Sequence, residues 1–135
     1  MLEEKTRISR PLAISIVAVC SFLMGLIGTS AGAILGFFLL LPLNVSTSFI
    51  ASSTFLTLLW LVGGPILVYS SYNLFKMKKW AAQTVAAVIL FDLVASPLYV
   101  IVSQSSIGAI DVLAWSVDIT TLLLLASAWN TIFAR

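Results

Sequence analysis

What most constrains this chain is a succession of four long apolar stretches with charge confined almost wholly to the segments between them. The first runs from Leu12 to about Leu41 and the second from about Thr54 to Phe75. The third runs from Trp80 to about Val102 and the fourth from Asp111 to Phe133. Each is near or beyond the roughly 20 residues that carry a helix across about 30 Å of hydrocarbon. None shows the strict alternation of a membrane β-strand, and barrel strands are about half as long. Lipid offers no partner for free backbone groups, so the remaining spanning structure is the helix. Composition agrees, since 61% of the 135 residues are hydrophobic and only 9% are charged. Twelve charged side chains cannot coat a soluble fold of this size. The expected fold is a single all-α integral membrane domain, residues 1–135, forming a four-transmembrane-helix bundle with spans at about 12–41, 54–75, 80–102 and 111–133.

The basic residues set its direction. Lys5, Arg7 and Arg10 precede the first span, Lys76, Lys78 and Lys79 lie between the second and third, and Arg135 follows the fourth. The other two connections, Pro42 to Ser53 and Ser103 to Ile110, contain no basic residue. Lys and Arg are retained on the cytoplasmic side, so both termini are expected inside, N-in and C-in, in the plasma membrane. Trp115 and Trp129, fourteen residues apart on the fourth span, are separated by roughly 21 Å along a helix. They read as anchors near opposite interfaces, as Trp80 does beside the basic loop. Ala31-Gly32-Ala33 resembles a signal-peptide cleavage site, but the apolar run continues through Ile34 to Leu41, so an uncleaved first span is expected. Asn44-Val45-Ser46 matches a glycosylation sequon, meaningful only in a eukaryotic secretory pathway.

The first span carries Ser21, Gly25, Gly28, Gly32 and Gly36 at spacings of three and four, hence on one face. Helices in lipid associate by close packing, and glycine permits the approach. The spacing does not say whether the partner helix lies within the chain, in another subunit or beside a ligand. Gly63-Gly64-Pro65 in the second span and Pro97 in the third predict a kink or short break. Each proline removes a donor and crowds the carbonyl four residues back, at Leu61 and Leu93.

Two acids fall inside the spans. Asp92 lies roughly 18 Å from the inner end of the third and Asp118 roughly 22 Å from the inner end of the fourth, so they share a similar depth. A charged carboxylate there costs on the order of 3 kcal/mol on insertion scales. No Lys, Arg or His lies inside any span to pair with them. Three environments satisfy such groups. They can be protonated and hydrogen-bonded, with Ser96 and Tyr99 on the face of Asp92 and Thr121 one turn from Asp118. They can pair with a cation from another subunit, or hold a transported proton or metal cation in a water-filled cavity. Asp111 stands at the outer interface, where it can begin the fourth helix. Asn73 and Asn130, near inner helix ends, read as interface residues.

Other chemistries find no support. The chain has no histidine and one cysteine, Cys20, which excludes an internal disulfide, a Cys–His nucleophile pair and His-ligated zinc or haem. Two acids without further ligands make a weak metal motif, and no cofactor is expected. The net charge of +2 gives no reason to expect nucleic acid. The first span lacks the acid of small multidrug exporters, and the basic bias is unlike that of dual-topology fluoride channels. The paired cysteines of quinone-linked disulfide oxidoreductases are absent, as is the W-C-C arrangement of claudin-like proteins. Aligning Arg10-Pro11 with Lys79-Trp80 gives no convincing repeat between the halves.

Arg10-Pro11-Leu12-Ala13-Ile14 at the first span and the inner loop Tyr72-Asn73-Leu74-Phe75-Lys76-Met77-Lys78-Lys79-Trp80-Ala81 carry one resemblance. The chain is similar there to a loose set of uncharacterised small prokaryotic four-span membrane proteins. The resemblance covers about a quarter of the chain. It implies a four-helix membrane module and no activity.

The first functional expectation is a non-catalytic accessory or structural subunit of a larger membrane complex or oligomer, its partners being the bilayer and other membrane subunits or itself. It rests on short loops, the glycine stripe and acids without partners in their own chain. The alternative is a small oligomeric proton- or cation-coupled transporter or channel using Asp92 and Asp118. An enzyme is not expected, because the usual nucleophile–base pairs are missing. The discriminating feature is direction: acids facing a common cavity favour transport, and acids facing outward favour the subunit.

Overall fold

The computed structural model describes residues 11–41, 47–104 and 106–134, with only the backbone described for 47–53. Lys5, Arg7, Arg10, the Asn44–Ser46 sequon and Arg135 lie outside the described residues. The chain forms four helices: α1 (Leu12–Leu40), α2 (Thr47–Phe75), α3 (Lys79–Ser103) and α4 (Ala109–Phe133). Each is long and apolar enough to cross a membrane, α2 through its Thr54–Phe75 portion.

Local chemistry explains the ends. The Pro11 carbonyl accepts from Ile14 N (3.0 Å) and Ser15 N (3.4 Å), opening α1 where proline's fixed φ suits a helix start. Leu41 is extended (φ −77°, ψ 140°), as a residue before proline prefers, and α1 stops there. Between α2 and α3, the Asn73 carbonyl accepts from Lys76 N (3.1 Å) and Lys78 N (3.3 Å), with Met77 at φ 57°. Asn73 is buried and its amide donates to the Tyr69 carbonyl at 2.9 Å, so it locks the turn rather than facing the interface. Asn130 is exposed. Gln104 closes α3 in the left-handed region (φ 51°). At the start of α4 the Asp111 carboxylate accepts from Gly108 N at 2.8 Å, the helix-opening role its position suggested.

α2 begins at Thr47, seven residues before the apolar span at Thr54. The segment Thr47-Ser48-Phe49-Ile50-Ala51-Ser52-Ser53 is too polar to mark a span, yet nothing in it breaks a helix. The 29 residues of α1 and of α2 give each a length of roughly 43 Å, well beyond the hydrocarbon. α2 and α3 run unbroken through Pro65 and Pro97, so of the expected kink or short break the break does not occur. A proline removes one ladder bond, and the helix continues where packing holds the turns on either side.

The helices form a ring in which α1 packs on α2, α2 on α3, α3 on α4 and α4 on α1, with the α1–α2 contact by far the most extensive. Neighbours are antiparallel: Gly25 meets Gly64 while Gly32 meets Leu61, and Lys79 reaches Phe133 while Ser96 meets Trp115. The large buried side chains, including Ile14, Val17, Leu74, Val85, Ile89, Leu125 and Ile132, cluster in the half of the bundle that ends at the Lys76–Lys79 turn. In the other half, the buried positions are chiefly Gly28, Gly32 and Thr57 on the α1–α2 seam, with Ala95 on α3.

Candidate functional site

The glycine stripe of α1 faces α2 of the same chain. Ser21, Gly25, Gly28 and Gly32 are buried. A Cβ at Gly25 would stand 2.7 Å from the Gly64 carbonyl oxygen and 2.9 Å from Val68 N, and one at Gly32 would stand 2.9 Å from Leu61 N. Backbone meets backbone at both places. At Gly28 the space is filled by the Trp60 ring. Gly36 lies at the edge, where a Cβ would make ordinary contact with Thr57 at 3.4 Å. Gly64 completes the seam, because a Cβ there would run into Thr29, whose hydroxyl donates to the Gly25 carbonyl at 2.7 Å.

Asp92 and Asp118 meet across the α3–α4 seam. Asp92 is thirteen residues into α3 from Lys79, and Asp118 is fifteen residues from Phe133, which puts them roughly 20 and 22 Å from the same end of the bundle. Both border a cavity of about 20 Å³. All four helices line it, with Met24 from α1, Trp60 and Gly63 from α2, and Val88 beside Asp92 on α3. The volume admits about one water molecule. Apart from the two acids, the lining residues are apolar. Asp118 is fully buried and Asp92 partly so.

The two carboxyl groups border the same cavity and are close enough for each to sense the other's charge. Neither oxygen of Asp118 receives a hydrogen bond from another described group. Two ionised carboxylates can only accept, so a hydrogen bond between them requires that one of them hold a proton. The hydroxyls that share their helix faces are engaged elsewhere. Thr121 donates to the Val117 carbonyl at 2.7 Å, the local bond any helical threonine can make. Ser96 accepts from Trp115 Nε1 at 3.2 Å. Tyr99 lines a separate groove with Phe55, Phe91 and Leu98, seven residues beyond Asp92 and roughly 10 Å further along the helix. Of the three environments open to the acids, hydrogen bonding by these hydroxyls is therefore not the one seen for Ser96 or Thr121, while both acids border one cavity.

Gly63 borders the acid cavity, and a Cβ there would come only to 3.9 Å from Val88. Pro65 faces away, into a groove between α1 and α2. Sequence spacing missed the roles of Trp60 and Trp115. Trp60 carries no sequence signal of its own and Trp115 reads as an interface anchor, yet one fills the gap at Gly28 and the other ties α4 to α3. The periodicity of Gly28, which leaves room for a ring on the opposing helix, was the available signal for the first. Among the described residues no group of three or more His, Cys, Asp or Glu side chains comes together. Two carboxyl groups alone supply far fewer ligands than calcium or magnesium takes. They suit a proton, which needs one donor and one acceptor. No protein family, curated protein or solved structure matches the chain.

Proposed function

We propose that this chain is a small proton-coupled membrane transporter or channel, with Asp92 and Asp118 as its proton-binding pair. The observation that supports this reading is that the two acids border a common cavity inside the bundle, with neither oxygen of Asp118 hydrogen-bonded by any of the described residues. An acid meant to capture a cation on a neighbouring subunit would face outward, and a fully buried Asp118 does not. The glycine stripe, too, is occupied within the chain by α2. A proton arriving at one carboxylate lets it donate to the other, and its departure leaves two negative charges opposed in an apolar setting. The energy difference between those states can drive the α3–α4 seam between two arrangements. The distribution of Lys and Arg supports an orientation with both termini cytoplasmic and the Lys76–Lys79 turn inside, in the plasma membrane. No covalent chemistry is part of this reading.

The test is proton flux into proteoliposomes carrying an internal pH-sensitive dye, under an imposed membrane potential. The expected result is flux in the native chain and at least about a hundred-fold loss in Asp92→Asn and in Asp118→Asn, the lower end of the range that general acid–base groups contribute elsewhere. Equal flux in native and variant vesicles would remove the pair from the mechanism.

A second reading, an accessory subunit, is favoured by the exposed apolar groove of about 480 Å³ between Phe55 on α2 and Phe91, Leu98 and Val102 on α3. Extraction from native membranes in mild detergent separates the two. Foreign chains in fixed ratio support the subunit, and a lone chain or homo-oligomer opposes it.

A further inference from the structure

We infer that the groove between α1 and α2, on the face opposite to the acid pair's seam, is a binding site for one anionic phospholipid, with its phosphate at Lys76. Phe22, Leu26 and Ser30 on α1 and Pro65, Tyr69 and Tyr72 on α2 line a groove of about 550 Å³. A second hollow of about 210 Å³, lined by Val19, Leu23 and Phe75, adjoins it, and Phe22 and Tyr72 border both. From Val19 to Ser30 the surface runs eleven residues along α1, roughly 16 Å, which is the depth of one leaflet. An acyl chain entering from the end at the Lys76–Lys79 turn would therefore lie in it along its length.

Charge selects the occupant at that end. Lys76 Nζ sits 4.2 Å from the centroid of the Tyr72 ring, directly where the groove opens. The ring fixes a cation that would otherwise sweep the surface. Lys78 and Lys79 follow in the same turn, and the acids among the described residues, Asp92, Asp111 and Asp118, all lie on α3 and α4. Lys79 is committed to the Phe133 carbonyl at 3.4 Å. Lys76 is thus the ammonium aligned with the groove, and the Tyr72 hydroxyl adds a donor for a phosphate oxygen. A basic turn attracts anionic lipid diffusely in any case. The specific claim is that one lysine and one groove act together.

Native mass spectrometry of the full chain, released from bilayers of equal parts phosphatidylglycerol and phosphatidylcholine, measures this. One phosphatidylglycerol should stay bound in preference to phosphatidylcholine. Lys76→Gln should lower that preference by about five-fold, the contribution of one well-placed basic residue. Lys78→Gln removes the same charge two residues further along the turn, at a lysine that acts on Tyr72 more weakly than Lys76, and should change it less than about two-fold. Ser30→Trp fills the groove at an exposed position and should reduce retention of both lipids. Equal losses for the two lysine variants would show diffuse attraction only and overturn the site. So would an unchanged retention in Ser30→Trp, or equal binding of the two lipids by the native chain.

Discussion

The α1–α2 seam and the α3–α4 seam are built from opposite materials. On the first, Gly25, Gly32 and Gly64 bring two backbones together with no side chain between them, and the contact is the most extensive in the bundle. On the second, side chains fill the space: apolar Val85, Ile89, Leu125 and Ile132 toward one end, then Trp115 with Ser96 and Lys79 with the end of α4, with Asp92 and Asp118 bordering one cavity. A backbone seam has one arrangement, because any sliding drives a carbonyl into a helix. A side-chain seam has several, because rotamers and protons can change while the helices stay. Under the proposed reading, α1 and α2 form a fixed wall and α3 and α4 the part that responds. It holds only if the two seams answer differently to substitution.

The largest effect is expected at Gly25. A methyl there meets the Gly64 carbonyl and Val68 N, neither of which can rotate away, so Gly25→Ala forces the helices apart. The cost should be about 1–3 kcal/mol, the usual range for overpacking, measured by reversible unfolding in mixed micelles. Gly36→Ala, where the new contact is an ordinary 3.4 Å, should stay within about 0.5 kcal/mol of native. Equal losses at both positions would mean that the stripe is sensitive for a reason other than close approach.

Gly28 sharpens the point, because its neighbour is a side chain. Gly28→Ala meets the Trp60 ring, and Trp60 can be replaced. The single variant should lose stability within the same range, and Gly28→Ala with Trp60→Leu should recover part of the loss. No partner substitution should rescue Gly25→Ala. If Trp60→Leu fails to help, the ring is held more rigidly than the seam on which it rests.

The spans, the glycine face and the shared depth of the two acids were legible because each follows from a fixed rise per residue. Gly25, Gly28 and Gly32 lie on one face whatever they touch, so spacing named the face and not the partner. Hydropathy placed the start of the second span at Thr54, since it detects hydrocarbon and not helix, and α2 begins at Thr47. The surroundings of the acids were harder to read. Thr121 and Ser96 share faces with Asp118 and Asp92, yet a carbonyl four residues back takes the hydroxyl of one, and an indole N–H from the neighbouring helix occupies the oxygen of the other. Both choices depend on distances of about an ångström that spacing along one helix does not carry. Asn73 failed as an interface residue for a related reason: its value lies in a carbonyl that closes a turn.

A smaller effect is expected at the Trp115–Ser96 hydrogen bond between α4 and α3. Trp115→Phe keeps the aromatic area and removes the donor at Ser96. Coupling between Trp115→Phe and Ser96→Ala in a double-mutant cycle should be about 0.6 kcal/mol, the average for such bonds between membrane helices. A value above about 2 kcal/mol would make the side-chain seam as rigid as the glycine seam.

The smallest stability change is expected at a fully buried polar group. None of the described residues donates a hydrogen bond to Asp118, so Asp118→Asn deletes none among them. The amide can donate to Asp92 as a protonated carboxyl would, and it carries no charge to desolvate. Unfolding free energy should therefore stay within about 0.5 kcal/mol of native, with normal membrane insertion. The same variant is expected to stop proton flux. A residue whose loss leaves the fold intact and removes transport is working, while one whose loss costs more than about 2 kcal/mol is holding α3 to α4. Large destabilisation in Asp118→Asn would erase the distinction between the two seams and with it the support for a responsive half.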